Sequence, residues 1–416
     1  MLKPQKSGPS LLKIVVIIAI FIGAAVAFVN TYPYLASVAQ NSSAASAAQN
    51  LARAQEVYQQ GGSSDEIRKM LEPLTDGKSD PSVTPQALLL LAQIDKNEGN
   101  LLERRELLKR AYQEFPASQE HPRIAIAYAG ALSDAGDKTE ATRILEEVRQ
   151  VAPPELRAPA LTELGRIAEQ KGDLLAARDL LRKAVADALW DSPEWNAALD
   201  ALGKVNVAII FSPDPTPESE VYRVQKGDSI TRIGNTLNTT QGLLTRANNV
   251  TETTVLTVNQ PLKYTPKDFK IIIERSKCRV FLIDKDGIFK RYPAGLGKPG
   301  HETTLGSYKI GNKEKNPIWH KPGFGPIPAN DPANELGTRW MPLMPDQKSL
   351  PTDLGIHGTI RPDTVGTFCS NGCARLYPAD VEELYDLIVR STPVEIVETW
   401  TQEMANKEED NASSTP

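Results

Sequence analysis

The chain has 416 residues, of which 40% are hydrophobic and 24% charged, and its formal net charge at pH 7 is −5. This length accommodates two to four domains, and the apolar content is that of folded modules. The mild negative charge argues against nucleic acid as a partner. Three cysteines cannot form a disulfide framework, and their odd number leaves at least one thiol free.

The N-terminal region has the pattern of a membrane-directed segment. Lys3, Lys6 and Lys13 precede an uncharged apolar run at residues 14–29, and the next charge is Arg53. Apolar and aromatic neighbours lengthen the run towards a membrane span, and the lysines would stay on the cytoplasmic side. We therefore predict a cytoplasmic tail at residues 1–10, a transmembrane anchor or signal at 11–29 and a spacer at 30–50.

Two other interpretations of the apolar run stay open. Small residues at Ser37-Val38-Ala39 stand where a signal peptidase would cut, which is typical of a cleaved signal. A buried helix of a soluble domain is the third interpretation, and the lysine-rich flank argues against it. With an anchor or with a signal, the bulk of the chain is exported.

Residues 51–205 are rich in Ala, Leu, Glu and Arg at helical spacing, which predicts an all-α region. Gly62, Gly99, Gly136 and Gly172 recur at intervals of 37, 37 and 36 residues, and the last three separate pairs of amphipathic helices. This layout resembles tetratricopeptide-type repeats, which stack into a solenoid. The resemblance implies either a concave surface for a protein partner or a rigid spacer.

A linker and a small module follow the helices. Residues 206–220 form the linker, since their last ten positions contain three prolines and three acidic residues. Residues 221–266 open with Tyr-x-Val-x-x-Gly-Asp-Ser, an alternating strand followed by a turn and a helix-starting Ser229. With Ala247-Asn248-Asn249 downstream, they resemble a LysM module, which implies a βααβ fold and binding to the N-acetylglucosamine-containing glycans of peptidoglycan. A spacer that has lost glycan binding is the alternative.

Residues 267–398 predict a mainly-β domain. Apolar runs such as Ile271-Ile272-Ile273 predict strands, and residues 380–390 predict one helix. Eight prolines between residues 316 and 351 predict a long loop without regular structure. We predict that residues 399–416 are a disordered tail.

A histidine and a cysteine in this domain are candidates to exchange a proton. His357 and Cys373 lie sixteen residues apart in a chain with only four His and three Cys. A thiol attacks as thiolate, so it needs a base, and His357 can take its proton and return it to a leaving amine. The Gly358 carbonyl is placed to orient the imidazole, and the Gly372 amide can face an oxyanion. Arg375 could stabilise the thiolate, bind a substrate carboxylate or brace the loop.

The motifs around this pair resemble the YkuD-type L,D-transpeptidases. The likeness is carried by His357-Gly358-Thr359 and Ser370-Asn371-Gly372-Cys373-Ala374-Arg375, with Leu336-Gly337-Thr338-Arg339-Trp340 in support. It implies a cysteine acyltransferase with Cys373 as nucleophile and His357 as proton donor and acceptor. The expected substrate-binding residues are Arg375, Asn371, Ser370, Arg339 and Trp340. Asn371 stands where many family members have His, a change that leaves the base at His357 in place.

The reaction that this resemblance implies is an acyl transfer in the cell wall. Cys373 would attack a peptidoglycan stem tetrapeptide, release D-Ala and pass the acyl group to an amine. Water as the acceptor would make the chain an L,D-carboxypeptidase, and a catalytically weak peptidoglycan-binding scaffold is the alternative from another class. We expect neither a cofactor nor a metal.

The expected architecture is thus multidomain, with an N-terminal transmembrane helix, an all-α repeat domain, a βααβ module and a mainly-β catalytic domain. The implied location is the bacterial cell envelope, with extracytoplasmic domains on a single-pass inner-membrane anchor, or outside the cell after cleavage. The implied partners are peptidoglycan stem peptides and glycan strands, the membrane, and a protein on the helical repeats.

A second cysteine near the first adds two hypotheses. Cys369 could join Cys373, His357 and His320 as ligands of a zinc ion, although no second cysteine pair follows. In an oxidising compartment, Cys369 could instead form a disulfide with Cys373 and silence it.

Overall fold

A computed structural model describes residues 42–76, 82–320 and 323–413. The predicted anchor or signal at residues 11–29 lies outside these ranges. Within them, none of the helices combines the length and the apolar character needed to cross a bilayer.

The chain divides into two compact units, Met1–Val151 and Ala152–Pro416. This division falls inside residues 51–205, which the sequence analysis treated as one repeat domain. The helical character predicted for those residues is confirmed, while the tetratricopeptide-type assignment stays a prediction.

Antiparallel helices make up the described part of the first unit. They are α1 (Ser42–Gln59), α2 (Ser64–Leu71), α3 (Thr84–Glu98), α4 (Leu101–Glu114), α5 (His121–Asp134) and α6 (Lys138–Val151), with a 3-10 turn at Glu72–Leu74. Each helix turns an apolar stripe inward, and Leu71, Leu88, Leu108, Ile124 and Leu145 are fully buried.

Glycines end three helices in the same way. Gly99, Gly136 and Gly172 have φ of 80°, 93° and 83°, a left-handed conformation that L side chains rarely adopt. The amide that follows each glycine donates to a carbonyl five residues earlier, which closes the helix end. At the end of α1 the glycine with this conformation is Gly61, with φ of 73°, one position before the Gly62 that continues the spacing.

The second unit begins with three helices, of which the last packs on strand Gly287–Pro293 of the sheet. They are α7 (Pro154–Gln170), α8 (Leu174–Asp187) and α9 (Pro193–Phe211). Trp195 on α9 is 2% exposed and belongs to a core cluster that also contains Phe281 and Trp400. These helices are therefore part of the same hydrophobic unit as the strands.

The βααβ module has the predicted order of elements. It consists of β1 (Glu220–Arg223), α10 (Ile230–Thr236), α11 (Gln241–Ala247) and β2 (Pro261–Tyr264), with the two strands antiparallel. Ser229 and Thr240 cap the helices by accepting from Arg232 N at 3.2 Å and Leu243 N at 2.9 Å. Ile230, Ile233, Leu244 and Leu262 fill a small core between helices and strands.

A nine-stranded mixed sheet forms most of the mainly-β domain. The strands of the domain are β3 (Lys270–Glu274), β4 (Arg279–Asp284), β5 (Gly287–Pro293), β6 (Leu296–Gly297), β7 (Gly306–Ile310), β8 (Glu314–Lys315), β9 (Trp319–His320), β10 (Pro326–Ile327), β11 (Arg339–Pro345), β12 (Gly355–His357), β13 (Phe368–Ser370), β14 (Ala374–Arg375) and β15 (Pro393–Val397). In the main sheet they are ordered β14-β12-β11-β7-β15-β3-β4-β5, with β8 paired to β11. Helix α12 (Pro378–Leu387) packs beside β11, and α13 (Gln402–Ser413) contacts β5.

Two predictions for this domain were wrong. The proline-rich segment contains β11, which lies inside the sheet between β12 and β7. Proline is tolerated there because Pro342 enters the ladder through its carbonyl, which accepts from Gly311 N at 2.8 Å. The tail predicted to be disordered contains α13, preceded by a Trp400 that is only 2% exposed. Burial of that ring orders the segment.

Candidate active site

Parallel pairing of β12 with β14 brings the predicted site residues together. In this register His357 faces Arg375, and Ile356 faces Ala374. Leu376 N donates to the His357 carbonyl at 2.9 Å, which fixes the pairing beyond the strands. Cys373 directly precedes β14, so the register places it beside Gly355, two residues before His357 on β12.

The imidazole of His357 is held by its own loop and by a neighbouring indole. Its Nδ1 lies 2.7 Å from the Gly358 carbonyl oxygen, the contact expected from the sequence. A carbonyl only accepts, so Nδ1 donates in this contact and Nε2 is the ring nitrogen without a proton. The Trp340 ring packs beside the imidazole, with 5.8 Å between centroids.

Burial keeps this histidine neutral. The side chain is 4% exposed, and burial, with the positive charge of Arg375 as a second cause, lowers the pKa of His357 to about 4. Hydrogen bonding to the Gly358 and Glu335 backbone opposes the shift. At neutral pH the residue is therefore an unprotonated base.

The Cys373 thiol is half-buried, and its Sγ lies 3.7 Å from the Asp353 carbonyl oxygen. Burial raises the pKa of Cys373 to about 11, and the nearby Asp353 carboxylate adds to the rise. The Gly355 backbone and Arg375 act in the opposite direction. The resting pair is thus a neutral thiol and a neutral imidazole, so the proton has to move when a substrate arrives.

A hydrogen bond inside the loop before Cys373 occupies the Gly372 amide, which was predicted to face the oxyanion. Gly372 has φ of 122°, and its N–H donates to Ser370 Oγ at 3.1 Å. The same hydroxyl donates to the Cys373 carbonyl at 2.6 Å, and Ser370 is 1% exposed. Ser370 therefore shapes the turn from inside, although the sequence analysis placed it among the substrate-binding residues. Asn371, between them, is exposed.

Arg375 faces a carboxylate that the sequence analysis did not single out. Its Nη2 lies 2.9 Å from Glu335 Oε2, and its side chain is 9% exposed. Arg361 reaches the same oxygen at 3.3 Å. Of the three roles considered for Arg375, this geometry matches bracing. Glu335 directly precedes the Leu336–Trp340 motif, and that adjacency was its one signal in the sequence.

Arg339 and Trp340 point in different directions from β11. The Arg339 guanidinium donates to the Thr338 carbonyl at 2.8 Å and lies over the Tyr385 ring at 5.3 Å, towards α12. Trp340 covers Gly355, where an added Cβ would collide with the indole. Trp340 thus lines the histidine, whereas Arg339 is engaged with the helix.

Neither of the other two thiols is bonded to Cys373. Cys278, Cys369 and Cys373 are all free, and Cys369 Sγ lies 3.4 Å from the Thr364 carbonyl oxygen. Among the described residues, no group of three or more His, Cys, Asp or Glu side chains is arranged to hold a metal ion. The zinc hypothesis therefore has no support here, and the disulfide stays a hypothesis.

Two known domains match this part of the chain. The YkuD model, an L,D-transpeptidase catalytic domain, matches residues 268–396, and the LysM domain model matches residues 222–265. The protein named "Putative L,D-transpeptidase YqjB" of Bacillus subtilis is 31% identical over 134 residues, which are 32% of this chain and 73% of that protein. "Putative L,D-transpeptidase YkuD" of Bacillus licheniformis is 27% identical over 182 residues, 42% of this chain and 98% of that protein.

Solved structures are similar at lower identity. An L,D-transpeptidase from Mycobacterium tuberculosis H37Rv is 17% identical, with a TM-score of 0.26 and coverage of 34% of this chain. The matched part spans 64% of that structure, which is less than two thirds of its length.

Proposed function

We propose, since the chain belongs to the YkuD-type L,D-transpeptidase family, that it is a peptidoglycan L,D-transpeptidase that acts through a Cys373 thioester. The observation that carries the proposal is the β12–β14 pairing, which brings the Cys373 loop alongside β12. That strand ends at a buried histidine whose Nδ1 lies 2.7 Å from the Gly358 carbonyl oxygen. That contact leaves Nε2 as the acceptor for the thiol proton.

In the first step His357 takes the thiol proton and the Cys373 sulfur attacks the carbonyl of the third residue in a stem tetrapeptide. The carbon–nitrogen bond to D-Ala breaks, and the imidazolium returns the proton to the departing amine. The product is a thioester on Cys373 and free D-Ala, with no proton gained or lost.

In the second step an amine in the cell wall attacks the thioester. His357 takes a proton from that amine, the carbon–sulfur bond breaks, and the sulfur recovers its proton. Water in place of the amine would give the L,D-carboxypeptidase reaction with the same residues. Both steps keep the net charge of the pair unchanged, which suits a site where burial disfavours separate charges.

Stabilisation of the oxyanion falls to the loop that carries the nucleophile. The Gly372 N–H is already donated to Ser370, so the backbone amide of Cys373 is the donor we assign to the oxyanion. Asn371 is exposed next to it and carries an amide that can donate to the same substrate. Trp340 and the Glu335–Arg375 pair position the histidine and the loop.

The LysM domain is proposed to hold the enzyme on its substrate. LysM modules bind peptidoglycan glycans, so the module would raise the local concentration of stem peptides around Cys373. The proposed location is accordingly the bacterial cell wall, with the predicted anchor or signal at residues 11–29 responsible for export. The helical first unit is proposed as a spacer or as a surface for a protein partner.

Turnover of a disaccharide-tetrapeptide by the purified chain tests the proposal. We expect release of D-Ala by the native chain and loss of at least ~10³-fold in Cys373→Ala, because the nucleophile is gone. Cys369→Ser is the matched control, since it removes a free thiol four residues away, and it should keep activity.

Product analysis then separates the acceptors. Cross-linked dimers mark a transpeptidase and tripeptides a carboxypeptidase. If the native chain releases no D-Ala, the peptidoglycan-binding scaffold is the remaining alternative.

A further inference from the structure

An aspartate stands next to the proposed nucleophile. The Asp353 carbonyl oxygen lies 3.7 Å from Cys373 Sγ, on the segment that leads into β12. The Asp353 residue is exposed, whereas the next residue, Leu354, is 5% exposed and belongs to the hydrophobic core. The carboxylate is therefore open to solvent on a residue whose backbone contacts the thiol.

Neighbouring contacts fix the backbone at this position. Leu343 N donates to the Leu354 carbonyl at 2.8 Å, which extends the pairing of β11 and β12 one residue towards Asp353. The Leu354 side chain lies against Gly372, where an added Cβ would come within 2.9 Å of it. Asp353 is thereby held beside the loop of Cys373 before a substrate arrives, which reduces the entropic cost of binding.

The Asp353 charge acts on groups from two parts of the domain. Burial raises the pKa of Cys373 to about 11, and the Asp353 carboxylate adds to the rise. Burial also raises the pKa of Tyr308 on β7, and the same carboxylate adds to that rise. Because an aspartate side chain is short, its carboxylate stays near its own backbone, well within the ~10 Å over which charges interact in 0.1 M salt.

This negative charge has no counter-charge in the protein. Among the described lysines, arginines and histidines, none forms an ion pair with Asp353, and Lys309 on β7 pairs with Asp346 at 3.2 Å instead. Arg375, the positive charge that acts on the thiol, pairs with Glu335 at 2.9 Å. Asp353 is therefore left as an uncompensated carboxylate beside the nucleophile.

Such a charge disfavours the first step of the reaction and favours the second. A carboxylate beside a thiol opposes the loss of the thiol proton that attack requires. In the second step the acceptor is an amine, and an amine such as a lysine side chain is an ammonium ion at neutral pH. A carboxylate attracts this ion and accepts its hydrogen bonds, which are stronger than those between neutral groups. Asp353 is thus suited to the acceptor and not to the acyl donor.

We propose that Asp353 binds the ammonium group of the amine acceptor and so favours transfer of the acyl group to an amine over its transfer to water. This role rests on the proposed function, since it concerns the second step at the same cysteine. The bound ammonium releases one proton to solvent, and the neutral amine attacks the thioester carbonyl. The carbon–nitrogen bond forms, the carbon–sulfur bond breaks, and a second proton of the amine passes through His357 to the sulfur.

The ratio of cross-linked dimer to tripeptide made from a disaccharide-tetrapeptide tests the proposal, because this substrate serves as donor and as acceptor. We expect Asp353→Asn in the full chain to lower the ratio about five- to tenfold, since the amine loses a charged partner and water does not. Asp353→Glu keeps the charge and should retain at least half of the native ratio. The melting temperature should not fall in either variant, because the carboxylate has no ion-pair partner to lose. A native ratio in Asp353→Asn would overturn the proposal.

A neutral nucleophile separates recognition of charge from a general loss of transfer. Hydroxylamine is uncharged at about pH 7.5, so Asp353→Asn should form the hydroxamate at the native rate. Equal losses with hydroxylamine and with the amine acceptor would mean a distorted site and would contradict recognition of the ammonium. Iodoacetamide should alkylate Cys373 about twofold faster in Asp353→Asn, because the opposing charge is gone. An unchanged alkylation rate would also count against the proposal.

Asp268→Asn is the matched control. Asp268 is exposed and precedes β3, which β15, β7 and β11 separate from β12 in the sheet. Its substitution removes one carboxylate far from Cys373 and should leave the product ratio and the alkylation rate at their native values. If the native chain releases no D-Ala, the proposed function and this role of Asp353 both fail. If it releases D-Ala and makes tripeptide only, the role of Asp353 fails and acylation of Cys373 stands.

Discussion

At the scale of single residues, the His357 imidazole and the Cys373 thiol are both uncharged at neutral pH. Burial acts on both, lowering the pKa of the imidazole to about 4 and raising that of the thiol to about 11. The Nδ1 contact with Gly358 selects the tautomer that can accept the thiol proton. The site therefore depends on proton transfer in the presence of substrate more than on a preformed thiolate.

This state has a consequence for the pH dependence of acylation. A lowered pKa keeps His357 unprotonated in more acidic solution than an ordinary histidine, so D-Ala release should persist below pH 6 and fall only as the pH approaches 4. The thiol should react with iodoacetamide faster as the pH rises, without a plateau below pH 9. A fall in D-Ala release centred near pH 6.5 would contradict the neutral pair. So would an alkylation rate that stops rising by pH 8. Circular dichroism at each pH checks that the chain stays folded.

The second residue-scale expectation concerns Glu335. Glu335→Gln removes the partner of a buried Arg375 guanidinium, and because Glu335 is itself partly exposed we expect a loss of about 1–3 kcal/mol in the free energy of unfolding. D-Ala release should also fall, since Arg375 is in register with His357. Arg361→Gln, on the exposed side of the same carboxylate, should cost less than ~0.5 kcal/mol. Urea unfolding of both variants measures the difference. Equal losses of unfolding free energy in the two variants would contradict a bracing role for Glu335.

At the scale of elements, the site depends on the contact between β11 and β12. Trp340 on β11 is in register with His357 on β12, and its indole lies over Gly355. A glycine is needed there because the ring occupies the space of a Cβ. The contact between β11 and β12 thereby fixes the position of the imidazole and the position of the first residue of β12.

Gly355→Ala tests this contact. We expect a destabilisation of about 1–3 kcal/mol, since the Trp340 ring has to move, together with a larger loss of D-Ala release than stability alone explains. Gly325→Ala is the control, because a Cβ there meets nothing within 4 Å. Thermal unfolding and turnover measured on both variants decide the question, and an active, equally stable Gly355→Ala would show that the ring position is unimportant.

At the scale of the whole molecule, the second unit is larger than its catalytic sheet. Trp190, Trp195, Phe281 and Trp400 form an aromatic cluster with centroid distances of 4.6 to 5.7 Å. It joins the helical segment before the LysM domain to the strands and to the segment after them. Helix α9 and the C-terminal segment therefore share a core with the domain that carries Cys373.

Trp400→Ala measures this dependence. Removing a ring that is 2% exposed should cost about 3–5 kcal/mol in the second unit. Phe324→Ala, where the ring is 71% exposed, should cost much less. Hydrogen exchange would locate the loss, and a Trp400→Ala chain as stable as the native one would mean that the C-terminal segment is dispensable.

Contacts between neighbouring residues could be predicted from the sequence, whereas contacts between residues far apart in the chain could not. The Gly358 contact of His357 and the caps at Gly99, Gly136 and Gly172 follow from neighbouring residues, so spacing and composition predicted them. Glu335 and Arg375 are 40 residues apart, and their pairing depends on the strand order of the sheet. The strand through Pro342 and the burial of Trp400 likewise follow from tertiary contacts that override local propensity.

The central claim is that Cys373 forms a thioester, and mass spectrometry of the acylated chain tests it most directly. Mixing the full chain with a disaccharide-tetrapeptide and quenching in acid should leave an adduct with the mass of the substrate less D-Ala. Peptide mapping should locate it on Cys373, and Cys373→Ala should carry none. Release of D-Ala without an adduct on Cys373, or an adduct on Cys369 instead, would contradict the proposed mechanism.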